Sequence, residues 1–283
     1  MNYRHAFHAG NFADVFKHAL LARVLTYLTR KPAPLRFIDT HAGRGRYDLL
    51  ADEAQRTREW SAGIGARGLQ APAPEVAALF EPFWSAVGPL DAAGCPLSYP
   101  GSPAIAQALL RPADRLTLCE LHPDDCGQLR VEMGRDPRVK TLLLDGYAGL
   151  KAGVPPKERR GLVLIDPPFE EPGEFDRMGA ALLMAYRKWP TGCYMLWYPL
   201  KDVRAADALG RAAVAAGLRD VLQLHLSVER HLLADGPLGG CGLLLVNPPY
   251  TLKQEADIML PFLAKALGRG GAGGWSARQL AAD

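Results

Sequence analysis

Residues 115–169 read RLTLCELHPDDCGQLRVEMGRDPRVKTLLLDGYAGLKAGVPPKERRGLVLIDPPF. Three short apolar runs, 115–121, 138–145 and 161–168, are bounded by Pro and Gly, so each predicts a buried strand. The stretch 123–134 between the first two predicts a helix. Such alternation requires parallel pairing through crossover helices, hence a doubly wound α/β sheet. Working outward, the rhythm continues. Upstream, LRFIDTHAG (35–43) predicts a strand ending in an Asp and a Gly turn. Before it, residues 10–29 predict a helix, with Phe12, Val15, Phe16, Ala19, Leu20 and Val24 near a 3.6 period. Downstream come a helix at 175–189, a strand at 192–199, a helix at 202–216, and strands at 220–228 and 240–249. SPAIAQALL (102–110) predicts a helix with Ser as N-cap and Pro at N1. Residues 47–98 break the rhythm, with helix-like stretches near 51–62 and 75–87 and no convincing strand. The expected organisation is one α/β domain from 1–46 and 99–267, a helical insertion at 47–98, and a flexible Gly-rich tail at 268–283.

Composition narrows the class. The chain has 283 residues, 48% apolar and 22% charged, enough for a sizeable core and incompatible with a wholly disordered chain. No apolar run approaches 18 residues and the N-terminal stretch lacks an apolar signal core, so a cytoplasmic protein without membrane contact is expected. Cys95, Cys119, Cys126, Cys193 and Cys241 form no CxxC and no secreted-type framework, which reads as reduced thiols. The net charge of +3 is unevenly spread. Residues 1–46 carry eight Lys/Arg, two acids and four of the seven His, a local +6 that suggests a polyanionic partner.

In a doubly wound sheet, ligands bind beyond the carboxyl ends of the strands. Four such ends each carry an acid: Asp39, followed by Thr40, His41, Ala42, Gly43, Arg44 and Gly45; Glu120; Asp145 with Gly146; and Asp166 with Pro167, Pro168 and Phe169. The Gly43 turn lets backbone approach a ligand, the second acid can hold ribose hydroxyls, and the third an adenine amine. A pyrophosphate site wants a third Gly, which is missing here, so a dinucleotide fits poorly. S-adenosylmethionine, with an adenosine and a sulfonium cation, fits better.

The Asp-Pro-Pro-Phe run at 166–169 resembles the (D/N/S)PP(Y/F/W) motif of amino methyltransferases that modify adenine N6 or cytosine N4. An exocyclic amine is a poor nucleophile because its lone pair is delocalised. The Asp166 carboxylate and Pro167 carbonyl can hold both N–H bonds, two prolines stiffen the turn, and Phe169 offers a stacking face. Asn247-Pro-Pro-Tyr250 matches the same pattern. Its strand is last in line, and in methyltransferase sheets that strand runs antiparallel, which aims its end away from the cofactor edge.

The segment before the first strand concentrates Tyr3, His5, His8, Asn11, Asp14, Lys17 and His18. In amino methyltransferases such a segment packs over the methionine end of the cofactor. That assigns His18 to the cofactor carboxylate, and Tyr3, His5 and Lys17 to the base or phosphates. The alternative is that His8 and Asn11 cap the helix and the others are solvated. Cys119, His122 and Cys126 give only three ligands, so no metal is expected. Arg159 and Arg160 read as solvated.

Taken in order, HAGNFADVFKH, DTHAGRGRYDL, YPGSPAIAQALL, ELHP, DGY and LIDPPFE closely resemble the bacterial large-subunit ribosomal RNA adenine-N6 methyltransferases of the RlmJ kind. The resemblance spans about residues 1–265. It implies a Rossmann-like methyltransferase fold whose mostly parallel sheet has a last antiparallel strand. It also implies S-adenosylmethionine as donor, S-adenosylhomocysteine as product, no metal, and an adenine of 23S rRNA as substrate, free or in an assembly intermediate. A monomer is expected. Carried over by residue, His18, His41, Gly43, Ser102, Glu120, Asp145, Gly146 and Asp166 line the cofactor site, Asp166 is catalytic, and Tyr3 contacts RNA. Phe169 stands where the family is expected to carry Tyr; stacking survives that change, a phenol's role does not. Three other readings stay open. A DNA adenine methyltransferase usually adds a recognition domain, for which the 52-residue insertion leaves little room. The others are a non-catalytic RNA-binding assembly factor and an NAD-dependent oxidoreductase.

Overall fold

The structure is a computed structural model and describes residues 4–92, 94–233 and 235–282. In chain order, the elements are α1 (Phe12–Leu28), β1 (Arg36–Asp39), β2 (Arg46–Asp48), α2 (Asp52–Thr57), α3 (Pro74–Val87), β3 (Ser98–Pro100), α4 (Ser102–Leu109), β4 (Arg115–Glu120), α5 (Pro123–Met133) and β5 (Val139–Leu143). Then follow α6 (Gly146–Gly153), β6 (Gly161–Ile165), α7 (Glu174–Lys188), β7 (Cys193–Pro199), α8 (Val203–Ala215), β8 (Val221–Ser227), β9 (Gly240–Val246), α9 (Leu252–Leu267) and β10 (Gly274–Ala281). Eight strands form one sheet in the order β10-β8-β9-β7-β6-β1-β4-β5. The pairs β5–β4, β4–β1, β1–β6 and β6–β7 are parallel, whereas β9 is antiparallel to both β7 and β8. The order reverses between β1 and β6, so the ligand crevice of a doubly wound sheet falls at the carboxyl ends of those two strands.

The Gly-rich C-terminal segment is not a flexible tail. Residues 274–281 form β10 and pair antiparallel with β8 from Gly274↔Ser227 to Ala281↔Val221. Glycine content misleads here because Gly268 and Gly273 pass tightly against α9: a Cβ on Gly273 would lie 1.8 Å from the Ala264 carbonyl. The glycines permit a close turn, and the polar residues after them lie on an edge strand, where one side faces water.

The segment expected to lack strands is pinned by two short ones. β2 and β3 pair antiparallel, Arg46↔Pro100 and Asp48↔Ser98, bringing its two ends together. Chain entering α4 therefore returns to β1, and the Ser102 hydroxyl donates to Asp39 Oδ2 at 2.6 Å. Helix α1 has no solvent face through Leu25: residues 12–25 are all buried, Asp14, Lys17, His18 and Arg23 included. It packs against α3, α4, α9 and β9, so an all-round buried helix replaces the one-sided one that its period suggests. Asn11 caps it, its side chain accepting from Ala13 N and Asp14 N at 3.0 Å.

Deleting residues 270–283 uncovers the β8 edge, including the Leu280 contact over Gly210. Thermal melts should show a loss of several degrees, at roughly 2–4 °C per kcal/mol, with increased aggregation. An unchanged melting temperature would mean that β10 contributes nothing to the fold.

Candidate functional site

A cavity of about 540 Å³ opens at the switch point, within the range of small-ligand pockets. Its walls bring together residues far apart in sequence: His5, Lys17 and His18 from the N-terminal segment, His41 and Gly43 after β1, Ser102, Glu120 at the end of β4, and Asp166, Pro167 and Phe169 after β6. Asp145 and Gly146 are not among the lining residues. Asp145 caps α6 by accepting from Ala148 N at 2.8 Å and is exposed. Gly146 packs on the loop after β1, where a Cβ would sit 2.0 Å from the Thr40 carbonyl, so only glycine lets α6 start there. Tyr3 lies outside the described residues.

The turn after β1 supplies the cradle. Gly43 has φ +61°, and a Cβ there would meet the Tyr47 hydroxyl at 2.1 Å. Its N–H donates to Glu120 Oε2 at 2.8 Å, while His122 N donates to Oε1 at 2.7 Å. The Glu120 carboxylate is thus aimed by two backbone donors; burial pushes its pKa up. Below it, Asp39 is fully buried, held by the Ser102 hydroxyl and by His41 N at 3.2 Å. Burial raises its carboxyl to about 7, against the Ser102 hydrogen bond and with the Asp166 charge adding to the rise. Thr40 Oγ1 donates to the Leu164 carbonyl at 3.0 Å and lies 2.8 Å from His41 Nδ1, which fixes that ring.

The roof comes from α1. Lys17, 4% exposed, ion-pairs with Asp166 Oδ2 and with Asp14 Oδ1 at 3.0 Å, and its Nζ lies 5.9 Å from the Trp197 ring centroid. Burial opposes its charge, but the two carboxylates outweigh burial and hold it above the ordinary lysine range. Asp14 in turn accepts from Gly10 N at 2.9 Å and meets His5 Nε2 at 2.9 Å. Its pKa is well below the carboxylate range, His5 and Lys17 overriding burial. One turn along, His18 Nδ1 lies 2.8 Å from the Tyr99 hydroxyl, and its buried Nε2 has no partner among the described residues. Burial and Lys17 keep this imidazole neutral. That leaves one buried ring nitrogen, Nε2, open to a ligand. His8 Nδ1 and Asn11 Nδ2 both meet Glu59, at 2.9 and 3.0 Å, tying the N-terminal segment to the region between β2 and β3.

Asp166-Pro-Pro-Phe carries backbone strain at its last residue: Phe169 has φ +52°. Such outliers persist where surrounding packing over-determines them and cluster at functional sites. Phe169 is held by Phe175 and Trp197, with centroids at 5.1 and 6.0 Å. The second Pro-Pro run differs. There the positive φ falls on its first residue, Asn247 (+51°), whose side chain donates to the Pro190 and Gly192 carbonyls. Because β9 is antiparallel, Asn247 ends at the opposite edge of the sheet, beside the start of β7.

Sequence reasoning missed the Lys17–Asp166 pair and the roles of Asp14, Tyr99 and Trp197. Asp14, Lys17 and His18 at i, i+3 and i+4 in an otherwise apolar helix were the available signal. The lining fits a nucleoside with a cationic sulfonium: acids at two strand ends, Glu120 and Asp166, a cradle a Cβ would fill, and an orphaned buried His18 nitrogen.

The family model "Ribosomal RNA large subunit methyltransferase D, RlmJ" matches residues 32–280. Ribosomal RNA large subunit methyltransferase J of Escherichia coli K12 is 39% identical over 276 residues, covering 96% of both chains. The protein of the same name from Haemophilus influenzae is 38% identical, covering 98% of this chain and 97% of its own. A crystal structure of a Legionella pneumophila protein superposes with a TM-score of 0.86 at 35% identity, covering 96% of this chain and 98% of that one.

The Asp39 carboxyl gives a pH signature. The native state holds a proton there between about pH 4 and 7 that the unfolded chain has released, so this residue's stabilising contribution is present at low pH and lost as pH rises through 7. From pH 5 to 8, the wild-type melting temperature should fall relative to Asp39→Asn, which keeps a neutral isostere. Parallel curves for the two proteins would contradict a raised pKa.

Proposed function

This chain belongs to the RlmJ family of ribosomal RNA large subunit methyltransferases, and we propose that it transfers a methyl group from S-adenosylmethionine to the exocyclic N6 of one adenine in 23S rRNA. The observation that carries the reading is the Asp166-Pro-Pro-Phe turn, held rigid at the cavity by the buried Lys17. S-adenosylmethionine, when bound, supplies an electrophilic methyl on a sulfonium. The residues that would hold it are Glu120 at the ribose hydroxyls, Gly43 beneath and His18 at the methionine carboxylate, with His41 and Ser102 around them.

The chain's own groups activate the amine. Lys17 occupies Asp166 Oδ2, while Oδ1 has no hydrogen bond among the described residues. Oδ1 accepts one N–H of adenine and the Pro167 carbonyl accepts the other. Both acceptors draw on the amine in a geometry that frees its lone pair for attack. The nearby carboxylate also stabilises positive charge as it develops on nitrogen. Once the N–C bond forms, the amine sheds a proton to water, so Asp166 need not be a strong base. Phe169 and Trp197 offer faces for a base drawn out of its stack. Lys201 and His5 at the cavity wall are placed to meet phosphate or base.

The test is direct. Tritiated S-adenosylmethionine and unmodified 23S rRNA are incubated with the protein, and nucleosides are separated after digestion. Label is expected in N6-methyladenosine. Asp166→Ala should lower kcat by at least about 10²-fold while S-adenosylhomocysteine still raises the melting temperature. Label in another nucleoside, or full activity of Asp166→Ala, would overturn the reading.

A further inference from the structure

The sheet edge opposite the cavity carries a surface that the reaction does not use. Three loops meet there: 27–36 after α1, 111–115 before β4, and 154–161 before β6. Together they hold eight Lys/Arg and two acids. Both acids are already engaged within the set, Asp114 by Arg111 at 2.9 Å and Glu158 by Arg36 at 2.9 Å. Asp220, at the start of β8, accepts from Gln279. Arg30, Lys31, Lys157 and Arg159 are exposed and form no ion pair among the described residues.

This edge is built. Arg111 donates to the Thr29, Lys31 and Ala33 carbonyls, and Arg160 donates to those of Leu28 and Ala33. Two guanidinium groups therefore clamp the 29–33 loop from both sides, which presents Arg30 and Lys31 outward in a fixed conformation. Beside them stands the aromatic residue of the unused Asn-Pro-Pro-Tyr run. Tyr250 is 81% exposed. Its ring meets Tyr27 edge-on at 5.6 Å, and the Arg30 guanidinium lies 5.3 Å from the Tyr27 ring centroid. An exposed ring braced by a second ring and a guanidinium, bordered by free cations, has the chemistry of a stacking platform for an unpaired base flanked by phosphates.

We propose that this edge is a second RNA-contact surface, with Tyr250 stacking on an unpaired base and Arg30, Lys31 and Arg159 meeting phosphates of a segment distant from the target adenine. The proposal rests on RNA being the substrate. It also accounts for where the basic residues 1–46 direct their charge. Near the cavity Arg4, Arg44 and Arg46 are paired with Asp124, Asp125 and Glu132, and Lys17 with Asp14 and Asp166. Arg30 and Lys31, on the far edge, are not.

Two RNAs test it: a short hairpin holding only the target stem-loop, and a long 23S rRNA fragment containing it. Binding at several salt concentrations and methylation kinetics are measured for the wild type, Tyr250→Ala, and the triple variant Arg30→Gln, Lys31→Gln, Arg159→Gln. For the long fragment, Tyr250→Ala should raise Kd and KM at least about fivefold with kcat unchanged. The triple variant should flatten the log–log salt slope by about 2, at roughly 0.7 per phosphate of single strand. Hairpin binding and kinetics should not move. Equal binding of the long fragment by all three proteins would overturn the proposal, as would equal weakening of hairpin and fragment. So would competition by polyglutamate with no effect of Tyr250→Ala, which would assign the edge to acidic peptides. If the predicted binding differences appear but the wild type methylates neither RNA, the surface stands and the methylation reading fails.

Discussion

A single buried cation, Lys17, holds the site together. Leaving one partner of a buried ion pair uncompensated costs about 3–5 kcal/mol, so a lysine at 4% exposure requires its carboxylates, and they require it. Lys17 joins Asp14 on its own helix to Asp166 at the end of β6. Asp14 also holds His5 and Gly10 N, so the N-terminal segment is drawn over the cavity through the same charge. Helix α1, buried on every side through Leu25, can carry Asp14 and Lys17 only because they pair with each other and with Asp166 across the cavity. The site is therefore a product of packing two layers, the helix before the sheet and the strand ends beneath it.

That arrangement explains what was legible in the sequence and what was not. Strands such as β4, β6 and β9 are short apolar runs between turn residues, a local signal, and their order follows from crossover rules. The Gly43 turn, Glu120 and Asp166 could be read because a doubly wound sheet fixes where strand ends lie. Lys17 was legible as a polar intruder on an apolar helix, but not as the partner of Asp166: that contact spans 149 positions and depends on how α1 lies over β6. Asp145 follows an apolar run just as Glu120 and Asp166 do, yet it caps α6 and faces solvent outside the cavity lining. The Gly-rich C-terminus looks like a tail in sequence because glycine signals flexibility and close approach alike. Only the passage of Gly268 and Gly273 against α9 separates them.

Charge tells a similar story. Summed along the chain, residues 1–46 are basic; in space, their positive groups near the cavity are paired, while Arg30 and Lys31 at the far edge stand free. Net charge per segment gives the kind of partner, and folding decides which surface meets it. The two Pro-Pro runs divide in the same way. Equal in sequence pattern, they differ in which residue takes the left-handed backbone and in which sheet edge they occupy.

The most direct measurement is a double-mutant cycle on Lys17 and Asp166, read by urea denaturation of the wild type, Lys17→Met, Asp166→Asn and the pair. If Lys17 is the charge that fixes Asp166 at the strand end, Lys17→Met alone should be the most damaging change. The double variant should then be more stable than the sum of the two losses, with a coupling of about 1–3 kcal/mol. Strict additivity would contradict this, and would leave the two residues as neighbours without a shared role.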